Sequence, residues 1–343
     1  MVHFTCSYYS AFKMIIIPQE LLILVADFLP TTADVCNFRL SCRLFAMTGF
    51  PVLFQNVAIL DTTEHISRFL STLCNAPCKS LSATRHLTLQ HGTWPIIWSY
   101  KTWLQHCLRV RRGHKSDELA FSHYMQFIIQ EHHRNSLGNM HLEQLLQALP
   151  RLKSITLSHV NKWSWKPFNS LHYSELISRI CTLPCWENVV IQPLSGILTL
   201  LDAFPQIRQL SVHGSLTAAP GTKQYPSILH LEVKSILGHC KNSDEIETFF
   251  SSFPNLTTVL ISMETGGRLD EMTIRLNRLY WPNLHTCTLV NMLIEEDDLV
   301  SFIHRHSSLR SISLDRITLT SGSWDSFSCR YKRLRSSLYV QAM

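Results

Sequence analysis

One phrase recurs through the last two-thirds of the chain and constrains its fold more than any other feature: proline, any residue, an apolar residue, two residues, apolar, one residue, apolar. It stands at Pro150-Leu152-Ile155-Leu157, Pro184-Trp186-Val189-Ile191 and Pro205-Ile207-Leu210-Val212. It returns at Pro226-Ile228-Leu231-Val233, Pro254-Leu256-Val259-Ile261 and Pro282-Leu284-Cys287-Leu289. Ser307-Leu309-Ile312-Leu314 keeps the spacing without the proline, and Leu87-Leu89 after Arg85 is a weaker early copy. The close of each phrase alternates apolar and polar, as a short strand with one buried face should. Helix-like segments precede several copies: Glu143–Leu149, Ser174–Leu183, Ser195–Phe204, Ser243–Phe253, Arg268–Tyr280 and Glu295–His306. A helix, a turn broken by proline and a short strand make one repeat. Stacked repeats of that kind share a continuous core.

The expected class is therefore α/β, a solenoid of short parallel strands alternating with helices over residues 61–343. The phrase starts are separated by 34, 21, 21, 28, 28 and 25 residues, and all but the first interval resemble the period of leucine-rich repeats. The asparagine that commonly follows the strand in that family is absent from most copies, which leaves the curvature open. Residues 93–140 break the pattern with Trp94, Trp98, Trp103, a basic run and an aromatic helix over Leu119–Ile129. They read as an irregular insertion that packs on the solenoid.

The N-terminal region has a different periodicity. Leu21, Leu22, Val25, Phe28 and Leu29 fall at helical intervals behind Pro18, whose fixed φ suits a first turn. Pro30, Thr31 and Thr32 interrupt the stripe, and a second helix capped by Asp34 carries Val35, Phe38, Leu40 and Phe45. Ile17-Pro-Gln-Glu-Leu-Leu, Phe28-Leu29-Pro30, Asp34-Val35 and Phe38-Arg39-Leu40-Ser41-Cys42-Arg43 together resemble an F-box over residues 14–60. Three departures are conservative: Ile17 for the opening Leu, Val35 for a later Leu, and Ser41 for the usual Val. The resemblance implies a Skp-family adaptor and, through it, a cullin scaffold as partners. Pro18, Leu21, Leu22, Val25, Phe28, Leu29, Val35, Phe38, Leu40 and Cys42 would then form the adaptor-binding set. Without the resemblance, the same residues describe an amphipathic hairpin that caps a larger fold.

Chemistry-bearing motifs are missing. The sequence has no Gly-x-Gly-x-x-Gly, Walker loop, Gly-x-Ser-x-Gly elbow or His-Glu-x-x-His, and its 11 glycines offer little material for phosphate-cradling loops. Eleven scattered cysteines suit a reducing compartment, and neither Cys74/Cys78 nor Cys181/Cys185 has a matching histidine pair for zinc. Hydrophobic residues make up 45% and charged residues 16%, so most of the chain is expected to fold. The most apolar stretch, Ile15 to Pro30, holds Pro18, Glu20 and Asp27 and is too broken to cross a bilayer. Met1 to Lys13 lacks a secretory pattern, so a cytoplasmic or nuclear protein is expected. The net charge of +6 includes basic clusters at Arg109–Lys115 and Arg330–Arg335, but no nucleic-acid-binding motif accompanies them.

These readings converge on a non-enzymatic binding protein without cofactor, metal, nucleic acid or membrane: a substrate receptor of an SCF-type ubiquitin ligase. The alternative is a repeat scaffold whose N-terminal helices only cap the solenoid. Target recognition is expected on the polar positions of the strands, above all His213, His230, Glu232, Lys234 and Asp315, which carry the longest or most charged side chains. The target itself is unknown.

Overall fold

The computed structural model describes residues 19–29, 32–41, 45, 49, 52–75, 83–92, 94–107, 114–136, 140–159, 171–183, 193–214, 223–234, 243–263, 275–334 and 339–342. The chain divides into two compact units, Met1–Gln55 and Asn56–Met343.

In the first unit, Gln19–Asp27 and Thr32–Ser41 are α-helices. Phe38 stacks on Phe45 with ring centroids 4.4 Å apart and planes 7° from parallel. Gly49 lies against the second helix so closely that a Cβ there would fall 2.7 Å from Arg39 Cγ. A residue without a side chain is what permits that approach.

The second unit is mixed α/β around one parallel sheet. Its strands are β1 (Asn56–Leu60), β2 (His86–His91), β3 (Ser154–His159), β4 (Gln209–His213), β5 (His230–Lys234), β6 (Thr258–Ser262), β7 (Thr286–Val290), β8 (Leu293–Glu295), β9 (Ser311–Asp315), β10 (Thr318–Ser321) and β11 (Tyr339–Ala342). Nine of them follow one another in the order β1-β2-β3-β4-β5-β6-β7-β9-β11, while β8 and β10 make a separate parallel pair. Parallel neighbours require long crossovers, and helices occupy these: Thr63–Asn75 between β1 and β2, Ser243–Ser251 between β5 and β6, Glu296–Arg305 before β9.

The register turns the recurring phrase into rows. Leu87, Ile155, Leu210, Leu231, Val259, Cys287 and Ile312 pair across β2 to β9, as do Leu89, Leu157, Val212, Val233, Ile261, Leu289 and Leu314. All are buried in one continuous core with Phe249, Phe250, Phe253, Trp281 and Phe302. The alternate positions form polar rows between them. One further regularity fixes the strands where they begin. The carbonyl of Arg85 accepts from the backbone N–H groups of both Lys153 and Ser154; that of Lys153, from Arg208 and Gln209; that of Arg208, from Leu229 and His230. The pattern continues through Leu229, Thr257 and His285. Each of β3, β4, β5, β6, β7 and β9 thus starts on a doubly used acceptor of its neighbour.

Two sequence expectations change, and a third falls outside the described residues. The copy at Pro184 lies on residues 184–192, of which none is described, while β3 and β4 pair directly from Ser154↔Gln209 to Ser158↔His213. The Leu171–Ile180 helix turns Leu176, Ile180 and Cys181 into a second core, and Thr182 receives a 2.8 Å hydrogen bond from Trp103 Nε1. Next, Asn56–Leu60 is the first strand of the sheet, so residues 56–60 belong with the second unit. Last, the helix expected over Arg268–Tyr280 reduces, among the described residues, to a 3-10 turn at Leu276–Arg278. Its place is held by Arg305, which donates to the carbonyls of Leu276 and Asn277.

The 93–140 insertion builds that second core. The helices Tyr100–His106 and His114–Ser136 supply Trp103 and the stripe Ala120, Tyr124, Phe127 and Ile128, joined by Trp94 and Ile97. The aromatic helix expected over Leu119–Ile129 lies within His114–Ser136. Among the described residues, no helix is long and apolar enough to cross a membrane.

Candidate functional site

Two surfaces stand out, one in each unit. In the first helix the apolar residues separate onto two faces. Leu22 (2% exposed) and Ala26 point inward, whereas Leu21, Leu24, Val25 and Phe28 (83% exposed) stand in solvent at positions i, i+3, i+4 and i+7. That is a complete helical stripe with nothing over it among the described residues of this unit. Leu40 of the second helix is 84% exposed, and Val35 is buried. The adaptor-binding set read from sequence therefore divides: Leu21, Val25, Phe28 and Leu40 are available to a partner. Leu22 and Val35 lie beneath them, and Leu29 and Phe38 are half-buried. Pro18 and Cys42 lie outside the described residues. Leu24 was missed by the sequence reading, although the spacing 21, 24, 25, 28 marks it.

The second surface is the polar face of the sheet. His86, Thr88, Thr156, Gln209, Thr258, Thr286, Thr288, Ser311 and Ser313 are all partly exposed, while the rows on either side are committed to the core. Its charged centre is on β4 and β5. His213 pairs in register with Lys234, and Ser211 with Glu232. Glu232 Oε1 lies 3.5 Å from His213 Nε2 and forms an ion pair with the Lys234 ammonium, and Oε2 accepts a 3.0 Å hydrogen bond from Ser211. His213 first, and Lys234 after it, hold the Glu232 carboxyl at about 2 against the opposing effect of partial burial. Glu232 is thus already engaged within the chain, and Lys234 and the exposed His230 are the groups left facing outward. Asp315 shares a row with Lys234 but stands three strands away, about 14 Å at ordinary strand spacing. It pairs with the adjacent Arg316 at 3.4 Å. Of the five residues expected to act together, the fold brings together His213, His230, Glu232 and Lys234 and leaves Asp315 apart.

The face does not stay open along the whole sheet. Leu60 pairs with Gln90 on the polar side of β1, yet it belongs to the aromatic core of the insertion with Trp94, Tyr124 and Phe127. Gln90 and Ser158 beside it are buried, and so, on the opposite face at the ends of β2 and β3, are His91 and His159. Asp61 Oδ2 comes within 3.4 Å of His91 Nδ1, and the His91 and His159 rings meet edge to face at 6.2 Å. Burial, then His91, lowers His159 to about 4, so it is neutral at physiological pH. Sequence spacing gave no sign of this cluster, because its three members come from three distant strand ends.

No group of His, Cys, Asp and Glu among the described residues is placed to hold a metal ion. Cys181 and Cys287 are buried free thiols, and Cys36 and Cys329 exposed ones. Compared with models of known protein families and with curated proteins, the chain finds no match in either.

Proposed function

We propose that this protein is a non-catalytic substrate receptor of an SCF-type ubiquitin ligase: an F-box at the N-terminus binds a Skp-family adaptor, and a leucine-rich-repeat-like solenoid binds a target protein. The observation that carries the reading is the solvent-facing stripe Leu21, Leu24, Val25 and Phe28, joined to the ordered sequence match from Ile17 to Arg43. Complete burial of a Val, Leu or Phe side chain is worth roughly 1.5–3 kcal/mol. A helix that leaves four such residues in water loses stability that a bound partner restores. Two features support the solenoid part. The strands follow sequence order with a repeated register, and Asn291 Nδ2 donates 2.7 Å to the Met263 carbonyl of the preceding repeat, the role an asparagine takes after a leucine-rich-repeat strand. The reading also places the protein in the cytoplasm or nucleus, with a cullin scaffold reached through the adaptor.

Replacing Leu21 and Phe28 by alanine tests the reading on side chains that are mostly exposed. Co-purification of a recombinant Skp-family adaptor with the full chain should fall at least tenfold while the circular-dichroism melting curve stays in place. Unchanged co-purification, or a wild-type chain that never retains the adaptor, overturns it and leaves the N-terminal helices as a cap on a repeat scaffold.

A further inference from the structure

The row at which the strands begin carries a charge pattern that the proposed function does not use. Its members in register are Arg85, Lys153, Arg208, Leu229, Thr257, His285 and Arg310, each linked to the next by a backbone hydrogen bond of 2.8–2.9 Å. The first three are consecutive cations immediately before β2, β3 and β4, all exposed, with no acid between them in the row. Among the described residues none of the three makes an ion pair or a side-chain hydrogen bond. Several cations elsewhere do: Arg179 reaches Glu64, Lys223 reaches Asp202, Arg278 reaches Glu247 and Arg330 reaches Glu296 and Asp297.

Three like charges on adjacent strands repel one another. Their effect reaches the next row, where His86 has its proton affinity lowered by burial first and then by Arg85 and Lys153. The doubly used carbonyls hold the three backbones in place, so the three cations stay anchored to adjacent strand starts. A fixed, uncompensated positive edge is a preorganised site for anions.

We propose that the leading edge of the sheet, at Arg85, Lys153 and Arg208, docks a carboxylate-rich segment of a partner protein. The guanidinium groups of Arg85 and Arg208 match carboxylates in a two-pronged geometry, and Lys153 supplies a point charge between them. The outer two strands are about 10 Å apart at ordinary spacing, and carboxylates on one side of an extended peptide recur every 7 Å or so. A peptide of three or four residues therefore spans the row. A nucleic acid fits less well. Phosphate-tracking proteins combine a long basic groove with aromatic platforms for the bases, whereas the polar faces of β2 to β5 carry no Phe, Tyr or Trp and the row turns neutral at Leu229 and Thr257. The proposal concerns the repeat unit and stands whether or not the first unit binds an adaptor.

The test uses the full chain and a fluorescent decapeptide of alternating glutamate and glycine, with its glutamine counterpart and a ten-residue oligouridine as comparisons, read by fluorescence anisotropy. The glutamate peptide should bind, weaken as salt rises, and lose at least tenfold in affinity in the combined Arg85→Ala, Lys153→Ala and Arg208→Ala variant. The pair Arg85→Lys with Arg208→Lys, which keeps the charge and loses the two-pronged geometry, should keep salt-dependent binding at reduced affinity, and Lys101→Ala at an exposed helix position should keep all of it. Equal binding of the glutamine peptide, an unaffected triple variant, or tighter oligouridine binding through the same three residues overturns the proposal. Adaptor co-purification should be the same for the triple variant and the wild type, which separates failure here from failure of the adaptor reading.

Discussion

Strands β4 to β9 and strands β1 to β3 share one register and one alternation of apolar and polar residues, yet their polar faces have opposite fates. From β4 onward the face is open, and its charges are met by neighbours on the surface, as Glu232 is by His213, Lys234 and Ser211. At the far end of β1 to β3 the insertion covers it: Leu60 joins a second core, and Gln90 and Ser158 beside it are buried. The same positions in the repeat thus serve either as recognition surface or as interior, according to what the intervening chain supplies. The insertion brings Trp94, Trp103, Tyr124 and Phe127 to this end of the sheet, and at the strand ends nearby Asp61 Oδ2 lies 3.4 Å from His91 Nδ1, the kind of charge approach that offsets the cost of burying polar groups.

The sharpest way to break this comparison is to remove the largest buried side chain from each core. Trp103→Ala deletes a fully buried indole and its hydrogen bond to Thr182, and Trp281→Ala deletes one enclosed by Phe250, Phe302 and His306. Each should cost about 3–5 kcal/mol. Hydrogen exchange should then separate them. Trp103→Ala should speed exchange in the helices Tyr100–His106, His114–Ser136 and Leu171–Ile180 while β6 to β9 stay protected, and Trp281→Ala should do the reverse. Loss of protection throughout in both variants would mean that the two cores unfold as one.

Next in size is a pH effect confined to the covered half. His159 is neutral when folded, with its pKa lowered to about 4, and regains an ordinary value near 6.5 on unfolding. A depressed folded value means that the stability it contributes is complete above about pH 6.5 and is lost as pH falls through 4. The loss is up to about 3 kcal/mol at 1.36 kcal/mol per pH unit. Urea unfolding at pH 7 and pH 5 should show a smaller drop for His159→Gln than for the wild type. An identical drop in both would relieve His159 of this role.

How much of this was legible beforehand follows the same division. The rows of β4 to β9 were written in the recurring phrase, since a fixed spacing of apolar residues dictates both the strand and its register. The helical stripe at Leu21, Val25 and Phe28 was legible for the same reason. Its split into an inward and an outward face was not, because Leu22 and Leu21 differ by one position and only packing decides between them. The phrase at Pro184 falls outside the described residues, and its spacing says nothing of Leu176 and Ile180 just upstream, which the second core recruits. The Asp61–His91–His159 cluster was invisible because no local pattern links residues brought together by register alone. The positive φ of Asn291, at 59°, is a smaller case of a role read only in three dimensions. Asn291→Ala would strain the backbone and remove the bond to Met263, so it should cost about 1–2 kcal/mol. A thermal melt that moves by less than a degree would show that this repeat junction needs no such clamp.

The smallest effect expected comes from the open face, and it is the most discriminating. Glu232 has three partners, but it sits on a surface where water competes for each of them, so the net value of such a cluster is within about 1 kcal/mol. Glu232→Gln keeps the shape and removes the charge. At pH 7 it should lower stability by no more than that amount. The sign of its pH dependence follows from the folded value of about 2. The contribution of the carboxylate is complete above the ordinary glutamate range near 4.3 and fades as pH falls through about 2, below which both states are protonated. The wild-type and variant stability curves should therefore run parallel from pH 8 to pH 5 and converge below it. A gap larger than about 2 kcal/mol at pH 7 would place Glu232 with the buried groups of the covered half and close the very surface on which target recognition is proposed. A gap within the expected size leaves His213 and Lys234 free to exchange Glu232 for a partner's carboxylate at little cost to the fold, as a recognition surface requires.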